Sequence, residues 1–247
     1  MAGSTRAETR WPVFVWDRKH AISLRSYLVL TRDLSVAGVY ILPVVVLYEL
    51  GVRLSHLSLR NSAEVMLKDL VALAGPLADF AHLLVLAASL AAAYDVVRRR
   101  LPFLTLYLPF LAECVVWALL LGPLVTAFVP ALVLKVPFGP SLLLSIGAGL
   151  YEEIVFRFFV LASAYVLLKR CFAWRSAVAV IMAVLLSALL FAGYHYVGPY
   201  GEPFRSRTFC YRFVAGIILG VLFVFRGLGA TVYLHAIYDL LRDFESS

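Results

Sequence analysis

An all-α fold, a polytopic transmembrane bundle of about seven helices, is predicted by three observations. The chain of 247 residues is 63% hydrophobic and only 15% charged, with a mean hydropathy of +0.91. A soluble domain runs nearer to about 45–50% apolar and about 25% charged. Apolar stretches of about 20 residues, the length that crosses a bilayer as a helix, recur along the sequence, and basic residues bunch between them. So much apolar surface cannot be hidden in one core, which excludes an ordinary soluble enzyme, a disordered chain and a disulfide scaffold. Cys114, Cys171 and Cys210 form no CxxC or Cys/His pattern and read as small apolar residues in helices.

Residues 1–33 read as a cytoplasmic or interfacial segment. They carry Arg6, Arg10, Arg18, Lys19, Arg25 and Arg32 without an early apolar run, so no cleaved signal peptide is expected. The stretch Trp11–Val15 with Trp16 reads as an interfacial aromatic anchor. The first span runs from about Leu34 to Val52 and contains Pro43. A weaker apolar helix starts near Val65, is interrupted at Gly75-Pro76, and leads into a span from about Asp79 to Val97 that Arg98, Arg99 and Arg100 stop. The block from Phe103 to Leu134, with Pro109, Pro123 and Pro130, is too long for one straight crossing. It reads as a tilted, kinked helix or a helix plus a re-entrant piece. Lys135 to Pro140 reads as a turn. Four spans follow, at about Ser141–Leu168, Ser176–Tyr194, Phe209–Phe225 and Gly229–Leu241. The last is short and is expected inside the bundle. Residues 34–247 thus read as one transmembrane domain with no internal repeat.

The 22 basic residues outnumber the 15 acidic ones, a net +7. In so apolar a chain this surplus sets topology and does not imply nucleic-acid binding. An amino terminus in the cytoplasm puts Arg98–Arg100, Lys169, Arg170, Arg175 and Arg226 on the inner side. The outer side then receives Arg53, Arg60, Lys68, Lys135, Arg205, Arg207 and Arg242. A multi-pass protein of the cell (inner) membrane is expected.

Ionisable residues within spans are costly, so each is a functional candidate. Three clusters stand out, all in the second half. The first is Tyr151-Glu152-Glu153-Ile154-Val155-Phe156-Arg157. Glu153 and Arg157, at i and i+4, share a helix face and neutralise each other. Glu152 points about a quarter-turn away and lacks a local partner, which suits general-base work. The second is Phe191-Ala192-Gly193-Tyr194-His195, at a span's end, followed by a Gly-, Pro- and aromatic-rich loop to Arg207 that can cover a site. The third is His235-Ala236-Ile237-Tyr238-Asp239, where His235 and Asp239 share a face so that the carboxylate can orient the imidazole. His20, His56 and His82 read as interfacial or exposed. A carboxylate pair, a His and a His–Asp pair on separate helices serve two chemistries. They can set a water-activating base beside oxyanion-stabilising groups, or Glu152, His195 and His235 can hold zinc, although the spacing HExxH is absent. The residues alone leave both open.

The ordered pattern EExxxR, FxxxH and HxxxD, here Glu152-Glu153…Arg157, Phe191…His195 and His235…Asp239, resembles the CPBP family of intramembrane proteases. That family includes the CAAX prenyl proteases and the bacterial Abi-type proteins. The resemblance covers about residues 141–241 and implies hydrolysis of a peptide bond close to the membrane, with the active site inside the bundle. It implies Glu152 and His195 activating the water, His235 with Asp239 stabilising the oxyanion, and Glu153 and Arg157 supporting the site. The family has been described both as metalloproteases and as glutamic-type proteases. The glutamic reading is adopted, with no bound cofactor and zinc as the alternative, because one His and one unpaired Glu suffice for water activation.

One departure matters. The last motif position is commonly Asn in the prenyl proteases and is Asp239 here; an aspartate donates no hydrogen bond unless protonated, so it orients His235. Topology adds that the site opens toward the outer face, as in bacterial relatives that trim carboxy-terminal anchors of exported proteins. Membrane lipid and a membrane-anchored protein or peptide substrate are the expected partners. Alternatives are a prenylated-CAAX-type protease, a non-catalytic scaffold or immunity protein, and a small proton-coupled transporter. The absence of an inverted repeat counts against the transporter.

Overall fold

Short polar caps start the first two helices. The computed structural model describes residues 13–14, 22–54, 62–72, 81–129, 141–198 and 201–245. Strands β1 (Val13–Phe14) and β2 (Ile22–Ser23) pair antiparallel, and α1 (Leu24–Leu30) starts at Ser23, whose Oγ accepts the Ser26 amide at 3.1 Å. Helix α2 (Leu34–Leu54) follows Asp33, whose Oδ1 accepts the amides of Ser35 and Val36 at 3.0 and 3.3 Å. These caps satisfy amides that have no partner within the helix. Then come α3 (Ser62–Ala72), α4 (Ala81–Arg98) and α5 (Phe103–Phe128). Helix α6 (Ser141–Gly147) continues into a π-helical segment, Ala148–Leu161, and on into α7 (Ala162–Arg170). Helices α8 (Ser176–Tyr194) and α9 (Ser206–Glu245) complete the bundle.

Among the described residues, four helices are long and apolar enough to cross a membrane: Leu34–Leu54, Phe103–Phe128, Ser176–Tyr194 and Ser206–Leu241. The expected spans correspond to α2, α4, α5, the rod α6–π–α7, α8 and the two halves of α9; the weaker helix is α3. Pro109 and Pro123 sit inside one continuous α5, which a membrane bundle tolerates because neighbouring groups take up the freed backbone bonds. Pro130, the turn at 135–140, Gly75-Pro76, Trp11, Trp16, His20 and His56 lie outside the described residues, as does the side chain of His82. Helix α9 breaks at Gly227, at φ +78°, a left-handed conformation that costs glycine little. A Cβ there would press on Arg32 at 3.4 Å. The half beyond the break packs inward, with Ala230, Val232, Leu234 and Ala236 buried, as its short length suggested. Cys114 and Cys210 lie within helices; Cys171 differs, standing exposed at the end of α7.

The exterior is apolar and the interior carries the charge. Leu47, Leu54, Leu104, Phe128, Ile181 and Phe225 are exposed, while Glu49, Glu64, Glu152, Glu153, Arg157, Arg226 and His235 are buried. Three of these buried charges, Glu49, Glu64 and Arg226, stand where the sequence reading placed no functional candidate. In α2, Glu49 accepts a hydrogen bond from the Tyr151 hydroxyl at 2.8 Å. Arg226, counted in sequence as an end-of-span charge, donates to Glu113 of α5 from Nε at 2.5 Å and Nη2 at 2.6 Å. The Tyr27 hydroxyl donates to the same carboxylate at 2.5 Å, and Arg226 also reaches Thr31 at 2.9 Å. This cluster ties α1, α5 and the turn of α9 together at one end of the bundle.

At the same end Arg99 spans Asp33 at 2.8 Å and Asp95 at 3.0 Å, locking the carboxy end of α4 to the start of α2. The Arg99 hydrogen bond and two backbone amides outweigh partial burial and hold the Asp33 carboxyl below its ordinary range. Removing one partner of a buried pair strands the other. Arg226→Met is therefore expected to cost about 3–5 kcal/mol, read as a lowered thermal unfolding midpoint, with much of the loss recovered in the Arg226→Met/Glu113→Leu double variant.

Candidate active site

Glycine at position 149 lets the π segment approach the second half of α9. A Cβ there would stand 2.5–2.7 Å from the Ala236 nitrogen, Cβ and Cα. That approach puts Glu152 and Glu153 opposite His235. Helical winding with i→i+5 bonds is rare and frequently found at functional sites; here it covers Ala148–Leu161, including both glutamates and Arg157.

Glu153 Oε1 lies 2.7 Å from His235 Nδ1. A carboxylate only accepts, so Nδ1 carries the proton. The same oxygen lies 3.0 Å from Arg157 Nη1, both side chains being fully buried. The ion pair expected from the i, i+4 spacing is present, but it is not aligned as a hydrogen bond: the Arg157 nitrogens and Glu153 Oε2 have no hydrogen-bond partner. The guanidinium instead lies over the Phe191 ring, 4.4 Å from its centroid, a cation–π contact. The other imidazole nitrogen, His235 Nε2, faces two carboxylates, Asp239 Oδ2 at 3.5 Å and Glu152 Oε2 at 3.9 Å. The His235–Asp239 pairing expected from spacing is thus present, on the nitrogen that also faces Glu152. Glu153 takes the other nitrogen, a role the sequence did not suggest.

His195 follows directly on α8. Its Nδ1 lies 2.9 Å from the Phe191 carbonyl; a carbonyl only accepts, so Nδ1 bears the proton and Nε2 is left as the basic nitrogen. Burial, with Arg212 nearby, lowers His195 to about 4, so the ring is neutral at physiological pH. The Phe191 ring stands between the two histidines, its centroid 5.2 Å from His195 and 6.1 Å from His235. Beyond His195, the Glu202 amide donates to the His195 carbonyl at 2.8 Å, and Glu202 pairs with Arg212 at 2.8 and 3.1 Å. The Arg212 hydrogen bonds hold the Glu202 carboxyl below its usual range.

Among the described residues no three His, Cys, Asp or Glu side chains converge to hold a metal. Each histidine engages only Nδ1, His235 with Glu153 and His195 with the Phe191 carbonyl, and keeps Nε2 toward the site.

Sequence reasoning named Tyr151 without giving it a role and missed its partner Glu49, and with it Tyr48, whose hydroxyl donates to buried Glu64 at 2.7 Å. These tyrosines meet edge to face at 5.4 Å and brace the π segment against α2 and α3. A glutamate inside the first span was the available signal. Because the close approach at Gly149 leaves no room, Gly149→Ala is expected to cost about 1–3 kcal/mol by overpacking, lowering the unfolding midpoint. Gly193→Ala, where nothing lies within 4 Å of the added carbon, serves as the unaffected control.

No curated protein and no solved structure matches the chain. A family model does, over residues 134–241, and its description is type II CAAX prenyl endopeptidase Rce1-like. The matched stretch holds the π segment, α8 and both halves of α9, hence Glu152, Glu153, Arg157, His195, His235 and Asp239. Within an apolar, membrane-embedded bundle, residues 134–241 are thus similar to the CPBP family of intramembrane proteases, hydrolases of the CAAX endopeptidase type.

Proposed function

We propose that the chain hydrolyses a peptide bond near the membrane surface, in the carboxy-terminal region of a membrane-anchored or exported protein, with a water activated by Glu152 and His195. The observation that carries this reading is the facing pair of buried groups, Glu152 Oε2 and His235 Nε2. At 3.9 Å they are too far apart to bond each other and close enough for one oxygen atom to reach both.

Glu152 takes a proton from the water while His195 Nε2 accepts its second hydrogen bond. The water oxygen bonds to the scissile carbonyl carbon, and the carbonyl electron pair moves onto its oxygen. His235, protonated on both nitrogens, donates from Nε2 to that oxyanion, a preorganised donor of the kind such intermediates need. Glu153 and Asp239 balance the imidazolium charge. When the intermediate collapses the C–N bond breaks, and Glu152 returns its proton to the leaving amine. Arg157 sits behind Glu153 and fixes its carboxylate. This glutamic-type scheme routes no step through a metal.

The position of the site supports a substrate approaching from the outer side. The basic residues Arg32, Arg98–Arg100 and Arg226 gather at one end of the bundle, where Arg226 reaches Thr31 and Arg99 reaches Asp33. His195 stands at the opposite end of α8 from Arg175. The positive-inside rule assigns the basic end to the cytoplasm and so His195 to the outer face. The family's description as CAAX prenyl endopeptidases favours a second reading, in which the substrate carries a prenyl group; paired prenylated and unmodified peptides separate the two.

General-base removal costs about 10²–10⁴ in rate. Glu152→Gln and His195→Asn, expressed with candidate substrates, are expected to lose cleavage by that order at normal protein levels, while a chelator leaves the wild type unchanged. Cleavage persisting in both variants overturns the catalytic assignment; loss on chelation with recovery on added zinc replaces the glutamic scheme with a metal one.

A further inference from the structure

A cavity opens on the side of the π segment away from Glu152. Its volume is about 580 Å³, and it is lined by Ser35 and Gly38 of α2, Ala88 and Ala91 of α4, Phe158 of the π segment and Leu228 of α9. The α4 wall is exposed at Ala88 and Ala91, so the cavity opens sideways, toward bilayer lipid, and its walls are almost wholly apolar. Volumes of about 300–1,000 Å³ are those of ligand sites.

One end of this cavity is polar. Ser35 lines it and donates to Asp95 at 2.7 Å, and Asp95 belongs to the network in which Arg99 holds Asp33. Arg32, Arg98 and Arg100 adjoin that network along the chain and are exposed. Four arginines against two carboxylates leave the mouth cationic. An apolar slot open to lipid below a cluster of arginines at the membrane surface is the arrangement that receives an anionic headgroup.

We propose that this cavity binds an anionic phospholipid from the surrounding bilayer, one acyl chain lying between α2, α4 and the π segment and the phosphate meeting Arg32, Arg98 and Arg100. The lipid props the π segment from the side opposite Glu152, so its occupancy stabilises the segment that carries the proposed base. It is a structural ligand and no substrate, and the site is independent of the proposed chemistry.

The full chain, purified in detergent and titrated with phosphatidylglycerol or phosphatidylcholine, tests this by native mass spectrometry. One phosphatidylglycerol retained per chain in preference to phosphatidylcholine is expected. Each basic residue near a membrane surface is worth about fivefold, so Arg32→Gln/Arg98→Gln is expected to weaken phosphatidylglycerol retention about thirtyfold and to leave phosphatidylcholine unchanged. Ala88→Phe/Ala91→Phe, which fills the slot from its exposed wall, is expected to abolish retention. Equal retention of both lipids, or full retention by the filled variant, overturns the proposal. So does retention of a prenylated peptide, lost in the filled variant, with no retention of phosphatidylglycerol.

Discussion

The contact between Glu153 and His235 Nδ1 is the point on which the arrangement turns. It joins the π segment to the inner half of α9, two elements that meet only because position 149 carries no side chain. Once Nδ1 is engaged the ring plane is set, and Nε2 is aimed into the space that Glu152 and Asp239 border. Arg157, fully buried and stacked on Phe191, supplies the charge that lets Glu153 stay in so dry a place. Without it a carboxylate, an imidazole and two further carboxylates would stand close together with no fixed cation. Phe191 links this centre to His195 through its ring and its carbonyl.

The rest of the bundle holds that contact steady from both ends. Near the basic end Glu113, Arg226, Tyr27 and Thr31 fasten the turn of α9, and Gly227 permits the reversal that brings His235 back into the core. Behind the π segment the Tyr151–Glu49 and Tyr48–Glu64 pairs fasten it to α2 and α3. In lipid an unmet polar group costs several kcal/mol, so each such pair has few alternative arrangements and the position of the site is narrowly determined.

Much of this was legible before any coordinates. Length and hydropathy located the spans because a bilayer demands about 20 apolar residues per crossing. Helical spacing alone paired Glu153 with Arg157 and His235 with Asp239. What spacing cannot carry is contact between helices. Nothing local to Glu153 announces that His235, 82 residues further along, occupies its other side. The π winding was hidden for a related reason: its residues suit an α-helix equally well, and the wider turn is settled by packing against α9. Glu49 and Glu113 belong to no motif, and Arg226 reads in sequence as a charge between spans, because their partners lie on other helices. The residues near His56, at Gly75-Pro76 and in the turn at 135–140 lie outside the described residues, and the sequence reading of them stands as an expectation.

The most direct measurement is a double-mutant cycle on Glu153→Gln and His235→Asn, read as free energy of unfolding of the full chain in detergent. If the two side chains form the central contact, each single change destabilises, and the double change costs less than their sum by at least about 1 kcal/mol. Costs that add to within about 0.3–0.5 kcal/mol, as for residues that do not touch, would contradict the account.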